Sequence, residues 1–480
     1  MRQLTFLVFL LILTSIGCKQ NVETTPEQTS TSSEPLPTPS WVESAVLYEV
    51  NTRNFTAEGT FKAFESHLPR LRSMGVDILW FMPIHPISMK NRKAENEVLV
   101  EDIEDPEERK KYVGSPYAVA NYKEVNPELG TMDDFKEMVT SAHQKGMKVI
   151  IDWVPNHTGW DNEWITEHPE WYTKDADGNI IDPINPSTGE PWGWTDVADL
   201  DYDNQEMRKE MIDIMKFWIT DVGIDGFRVD VAHGIPNDFW DQMREAFLSL
   251  PKEVFMLAEA EIPYHRNSGA FHASYGWSFH HLLNEIAHGE KNAKDVKKWY
   301  KEDQEKFDRG FHIHFTSNHD ENTWAGTVFE RMGDAHKAMA VLAATMPGMP
   351  LLYNGQEIPL DFRIPFFVRD TLEWNDLQYE DFYKTLFEIK DQSTVLRNTK
   401  GADMEFLSNN ENVLAFRRKN NYDDIIVIIN LTDQDQTYAI NANVEKCREI
   451  FTSSLVDVVA EESREIGPWE YQVLDGSYGR

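Results

Sequence analysis

From residue 45 onward, short and nearly continuous apolar runs alternate with longer stretches whose apolar residues recur every three to four positions. The runs at 45–50, 76–83, 148–154, 226–231, 254–258 and 350–353 read as strands buried on both faces. Helical spacing covers 61–73, 132–145, 205–221, 237–249 and 334–346, with Gly146 and Gly223 just beyond two of the ends. Buried strands joined through helices imply parallel crossovers, and about eight such units fit between residues 45 and 397. The pattern therefore predicts an α/β fold, a (β/α)8 (TIM) barrel built from 41–157 and 201–398. A charged stretch running to about Gly114 reads as a long loop. Residues 158–200 interrupt the alternation after the third strand with turns and tryptophans, and read as a small inserted domain on the loop face. Past residue 400 the runs at 413–419, 425–431, 436–440, 448–451 and 470–474 read as short strands, so 399–480 is expected to form a C-terminal antiparallel β domain. The chain shows no internal repeat.

Residues 1–40 follow neither pattern. Met1 and Arg2 precede an apolar run from 4 to 16, too short to span a bilayer and long enough for a signal segment. It ends in Ser15-Ile16-Gly17-Cys18, which resembles a bacterial lipobox with Ser15 where leucine is usual. That resemblance implies a signal peptide over 1–18 and a lipidated Cys18; a plain secretory signal cut nearby is the alternative. Residues 19–40 are rich in Ser, Thr and Pro and nearly devoid of apolar side chains, so they read as a flexible tether. The expectation is an exported protein, lipid-anchored and facing the periplasm or the cell surface.

Charge and cysteine content narrow the partners. The 480 residues carry a net charge of −35, which repels phosphate and disfavours nucleic acid or an anionic membrane surface. A neutral ligand suits such a surface. Two cysteines, Cys18 and Cys447, exclude a disulfide framework and a cysteine-based zinc site.

Polar groups collect where the apolar strands end: Asp152-Trp153-Val154-Pro155-Asn156-His157, then Gly226-Phe227-Arg228-Val229-Asp230, Leu257-Ala258-Glu259, and Phe315-Thr316-Ser317-Asn318-His319-Asp320. Singly, each acid reads as a turn or helix cap. Four such ends in one chain point to a shared task, because burying unpaired carboxylates is costly. Cleaving a glycoside needs such a set: a carboxylate nucleophile, a protonated carboxyl group and donors for the sugar hydroxyls. Arg228 and Asp230 lie two residues apart on one strand and so share a face. A cation there is expected to keep Asp230 ionised.

These segments resemble, in order and spacing, the four conserved regions of the α-amylase superfamily, glycoside hydrolase family 13; the resemblance extends over 41–480. It implies Asp230 as nucleophile, Glu259 as general acid/base and Asp320 as the third carboxylate. It also implies sugar contacts from Tyr117, His157, Arg228 and His319. The implied reaction is retaining hydrolysis of α-1,4 bonds in an α-glucan such as starch or maltooligosaccharides, with no organic cofactor. A structural calcium, with Asn156 and Asp201 as ligands, is also implied; loop and helix capping are the alternative roles for those two residues. Asn121 and the pair His233-Gly234 depart from common family patterns, which leaves open α-glucosidase, cyclomaltodextrinase or glucanotransferase activity, and a non-catalytic glucan-binding relative. Trp160, Trp164, Trp171, Tyr172, Trp192 and Trp194 crowd the excursion, as local core or as stacking surfaces for glucose. The stretch 175–179 reads as a hairpin turn and His280, His281 and His288 as structural. Oligomeric state is not legible.

Overall fold

The computed structural model describes residues 34–95, 98–185, 188–399 and 401–478; the signal segment with Cys18 lies outside them. Along the chain, β1 (Leu47–Val50), β2 (Ile78–Phe81) and β3 (Lys148–Trp153) are followed by a two-stranded ladder outside the barrel, β4 (His157–Gly159) with β5 (Val197–Asp199). Then β6 (Gly226–Val229), β7 (Phe255–Ala258), β8 (Ala273–Tyr275), β9 (Phe311–His314) and β10 (Met349–Tyr353) complete a closed barrel in the order β1-β10-β9-β8-β7-β6-β3-β2. Neighbouring strands pair in parallel throughout.

The twofold alternation of strand side chains sorts the core into two layers. Leu47, Ile78, Trp80, Ile150, Phe255, Leu257 and Tyr275 pack together inside the barrel. Tyr48, Val50, Leu79, Phe81, Ile151, Phe227 and Met256 pack outward, against the helices. The helix Met132–Gln144 shows why the crossovers form where they do. Thr131 and Asp134 close a reciprocal capping box at its start, and Phe135, Met138, Val139 and Ala142 make one buried stripe. Between β6 and β7 the approach is close: a Cβ on Gly226 would lie 2.0 Å from the Phe255 carbonyl oxygen, so only glycine fits.

The C-terminal strands are β11 (Met404–Phe406), β12 (Val413–Lys419), β13 (Asp424–Asn430), β14 (Gln436–Tyr438), β15 (Val444–Glu449), β16 (Leu455–Val458), β17 (Arg464–Ile466) and β18 (Tyr471–Asp475). Six form an antiparallel sheet ordered β11-β12-β13-β18-β15-β16, and β14 pairs with β17. Val413, Ala415, Ile426, Ile428 and Leu474 fill a separate core, which also buries Cys447.

The expected tether stops short of residue 40. Leu36 is buried and its N–H donates to the Gly269 carbonyl (3.0 Å), while a His272 ring nitrogen meets the Pro37 carbonyl (3.1 Å). One apolar residue and two backbone bonds suffice to seat this end of a polar segment on the barrel.

Candidate active site

Position along an inward-facing row decides what each strand offers at its C-terminal end. Leu47 and Glu49 face inward on β1, Ile150 and Asp152 on β3, and Arg228 then Asp230 on and just past β6; Leu257 on β7 is followed by Glu259. Lower positions are apolar and the top ones are charged. In such barrels chemistry gathers at this end.

Arg228 is fully buried at the centre. One guanidinium nitrogen, Nη1, reaches Asp152 Oδ1 (2.9 Å) and Asp230 Oδ1 (2.8 Å); Nη2 reaches Glu259 Oε1 (2.7 Å). Nε donates to the Tyr275 hydroxyl (3.2 Å), and the cation lies 5.1 Å from the Trp80 ring centre. The second Glu259 oxygen accepts the Val231 N–H (2.8 Å). Val231 holds φ 43° and ψ 40°, a left-handed conformation that a β-branched residue adopts only under strain, immediately after Asp230.

A second chain of contacts runs from β1. Glu49 Oε1 meets His319 Nδ1 (2.5 Å), His319 Nε2 meets the Tyr117 hydroxyl (2.7 Å), and that hydroxyl donates to Asp152 Oδ2 (3.1 Å). His319 Nε2 also lies 3.4 Å from Asp320 Oδ2. Burial opposes charge on the imidazole, but Asp320 and Glu49 prevail and push its pKa up to about 9. Protonated, it donates from both nitrogens, which the two short contacts require. Burial holds His157 down at about 4, so it is neutral. Its Nδ1 lies 3.3 Å from the Asn156 amide nitrogen, and the ring also bonds the Tyr117 backbone, which fixes its orientation at the cleft.

The electrostatics correct one expectation. Arg228 does not serve Asp230 alone; it is divided among three carboxylates. Burial and the charge of Glu259 raise the Asp230 pKa despite the guanidinium. Burial likewise lifts Asp152 to about 6, against the pull of Arg228 and His319. Burial thus raises Glu49, Asp152 and Asp230 alike, and Asp152 and Asp230, joined through one guanidinium nitrogen, titrate as a pair rather than singly.

These groups open into a cleft of about 740 Å³ that contains Tyr117, His157, Asp230, Glu259, His319 and Asp320. The sequence-assigned residues thus come together, with Arg228 beneath them. Tyr117 is flanked by the stacked rings of His319 (5.6 Å) and Phe366 (6.1 Å). The excursion's aromatics divide: Trp164, Trp171 and Tyr172 are buried core, whereas Trp192 and Trp194 line the cleft. Sequence reasoning missed Glu49, Lys93, Trp324 and Phe366, and gave Asp152 no role. A carboxylate inside each apolar run was the available signal for Glu49 and Asp152.

Asn156 and Asp201 flank one junction, where the Asn156 carbonyl accepts the Leu200 N–H (3.2 Å). One Asp201 oxygen accepts the Asp203 N–H (2.9 Å), and Asn204, not Asp201, caps the helix Gln205–Phe217. Nearby, burial and the charges of Asp201 and Asp182 lift Asp199 to about 7, although Thr173 bonds it. Hard oxygen donors gathered at this junction suit a calcium-like cation. Among the described residues, Glu261, Asp303 and His312 also lie close enough to share a metal. There, Arg266 Nη1 stands 2.9 Å from His312 Nε2, and Ser278 donates to both Glu261 oxygens, so an internal cation already completes the network. The 175–179 segment is a turn closed onto the Asp175 carboxylate, and His280 bonds the Phe315 carbonyl (3.0 Å) in a structural role.

Comparison with known proteins agrees with this geometry. An α-amylase of Haloarcula japonica, MalA, is 25% identical over 437 residues, covering 86% of this chain and 59% of that protein. An α-1,4-glucan:maltose-1-phosphate maltosyltransferase of Picrophilus torridus is 28% identical over 408 residues, covering 80% and 60%. The chain therefore spans about three-fifths of the length of these two relatives. The crystal structure of an α-amylase from Lactobacillus plantarum superposes with a TM-score of 0.76 at 26% identity, covering 91% of this chain and 99% of that one. The family model for the α-amylase catalytic domain matches residues 29–452, and the chain accordingly belongs to the α-amylase family, glycoside hydrolase family 13.

Proposed function

We propose that the protein hydrolyses α-1,4-glucosidic bonds of starch or maltooligosaccharides with retention of anomeric configuration. The observation that carries this reading is the pairing of Asp230 and Glu259, from adjacent strands, on one guanidinium. A shared fork suits the separation of roughly 5–5.5 Å that a retaining pair requires. Asp230 attacks the anomeric carbon while Glu259 gives its proton to the leaving oxygen. Glu259 then takes a proton from water, which displaces Asp230 from the same face. Asp320 faces the sugar and offsets the positive charge that develops on its ring, while His319, bonded to Glu49 and Tyr117, holds the tyrosine in place, and His157 lines the same pocket. The Picrophilus relative is named as a transferase; transfer differs only in that a sugar hydroxyl replaces water in the second step. Freshly formed product from amylose should be the α-anomer by proton NMR, and Asp230→Asn should cut kcat by several orders of magnitude while the fold persists. An initial β-anomer overturns the mechanism, and longer oligosaccharides accumulating from maltotriose would favour transfer.

The same reading includes a calcium ion held by Asn156 and Asp201 where the excursion leaves the barrel, supported by the backbone bond from Leu200 to Asn156 that brings these two oxygen-bearing residues to one junction. Chelation should lower Tm, and added Ca²⁺ but not Mg²⁺ should restore it; an identical Tm with and without chelator removes the ion from the reading. Export on a Cys18 lipid anchor would bring this activity to glucans outside the cell.

A further inference from the structure

The excursion presents to the cleft a pair of rings with no part in the catalytic cluster. Trp192 and Trp194 stack at 5.4 Å with only 9° between their planes. Gly193 between them adopts φ +78°, a left-handed turn that brings side chains two residues apart face to face. Both polar groups of that glycine are tied down. Its N–H donates to Asp182 Oδ2 (3.1 Å), and its carbonyl accepts from Lys93 Nζ (3.2 Å). Lys93 comes from the long loop after β2, is 3% exposed, and also pairs with Asp196 at 3.6 Å. The Trp192 N–H donates to the Pro183 carbonyl (2.8 Å). Trp194 meets His157 edge-on at 5.8 Å, while Trp192 remains 40% exposed at the outer end. Aromatic surface is thus held rigid, directed into an acidic cleft and continuous with the catalytic centre.

We propose that Trp192 and Trp194 are a stacking platform for a glucose unit beyond the cleaved bond, and that Lys93 is the positioning residue that holds it, so that this latch sets chain-length preference. The apolar C–H face of a pyranose matches an indole face, and a platform ordered before binding loses little entropy when a sugar lands on it. The inference rests on the α-glucan reading above and adds to it which chains the site prefers.

Steady-state kinetics on maltoheptaose and maltotriose test it. In Trp192→Ala the ratio of kcat/KM for the longer to the shorter sugar should fall about tenfold, mostly through KM, as expected for a lost stacking contact. Lys93→Met should lower the ratio in the same direction and Lys93→Arg should restore most of it. A purely structural role for Lys93 would lower Tm and depress both substrates by the same factor. Trp192 is exposed, so its replacement leaves the test intact even if Lys93→Met does not fold. An unchanged ratio in active Trp192→Ala overturns the platform while sparing the α-glucan reading. A wild-type enzyme inert on both sugars overturns both.

Discussion

His319 carries a positive charge because two acids outweigh its burial. Its folded-state pKa of about 9 exceeds the usual value for an unfolded chain, about 6.5. The sign follows: the charged pair contributes stability that is fully present below about pH 6.5 and is lost as pH rises toward 9, on the order of 3 kcal/mol in all. Glu49→Gln removes one of the two acids. We expect the variant to melt below wild type at pH 6 and to show a flatter decline between pH 6.5 and 9. Calorimetric Tm values across that range check it, and parallel curves would deny the Glu49–His319 pair its role. The residue scale is also where the sequence was least complete. Asp230, Glu259 and Asp320 stood out because each ends an apolar strand within a recognisable motif. Glu49 sits 270 residues from its partner, inside the short apolar stretch Leu47–Val50, so the chain shows a polar interruption without showing what satisfies it.

Elements were legible in proportion to their length. The helix Met132–Gln144 and the strands Lys148–Trp153 and Met349–Tyr353 lie within a residue or two of their hydrophobic patterns. β8 left no pattern, because Ala273–Tyr275 is three residues long and two alternations are too few to register. In the C-terminal domain the three-residue β11 and β17 escaped for the same reason, as did β16, whose four residues bury only Val458, and β15 begins earlier than the pattern at 448–451, with a register shift between Val444 and Cys447. The helical pattern over 205–221 holds as α-helix to Phe217 and then widens into a π-turn at Trp218–Val222. The excursion posed another difficulty. Its tryptophans are alike in sequence, and only the β4–β5 ladder with the Lys93 latch decides which are core and which face the cleft. Strand ends therefore revealed the acids, whereas the loops' contribution to the cleft depended on contacts between distant segments.

At the scale of the molecule, a buried arginine joins the C-terminal sheet to the barrel, with a buried lysine of the barrel near it. Arg418 on β12 is 1% exposed; Nη1 donates to the Thr345 carbonyl (3.1 Å), at the end of the helix His336–Thr345, and Nε to the Ala402 carbonyl (2.8 Å). A cation at a helix C-terminus is favourably placed against the helix dipole. Lys390, fully buried on the helix Glu380–Gln392, donates to the carbonyls of Gly348 (2.6 Å) and Leu396. Burial, then the charge of Arg418, pushes its pKa well below the usual range. Two effects therefore oppose each other in Arg418→Met: relief for Lys390 and the loss of donors to two carbonyl groups. Each buried acceptor left unpaired costs roughly 1–3 kcal/mol. Repulsion between cations that both bond carbonyl oxygens is smaller, so a net loss of about 3 kcal/mol and a Tm lower by several degrees are expected. Arg418→Lys keeps the charge without the planar fork and should lose less. The cleft shares no contact with Arg418, so kcat on maltoheptaose at 25 °C should match wild type in both variants. A Tm equal to or above that of wild type in Arg418→Met would mean that the relief of Lys390 dominates, and that the junction is held by its apolar contacts rather than by the arginine.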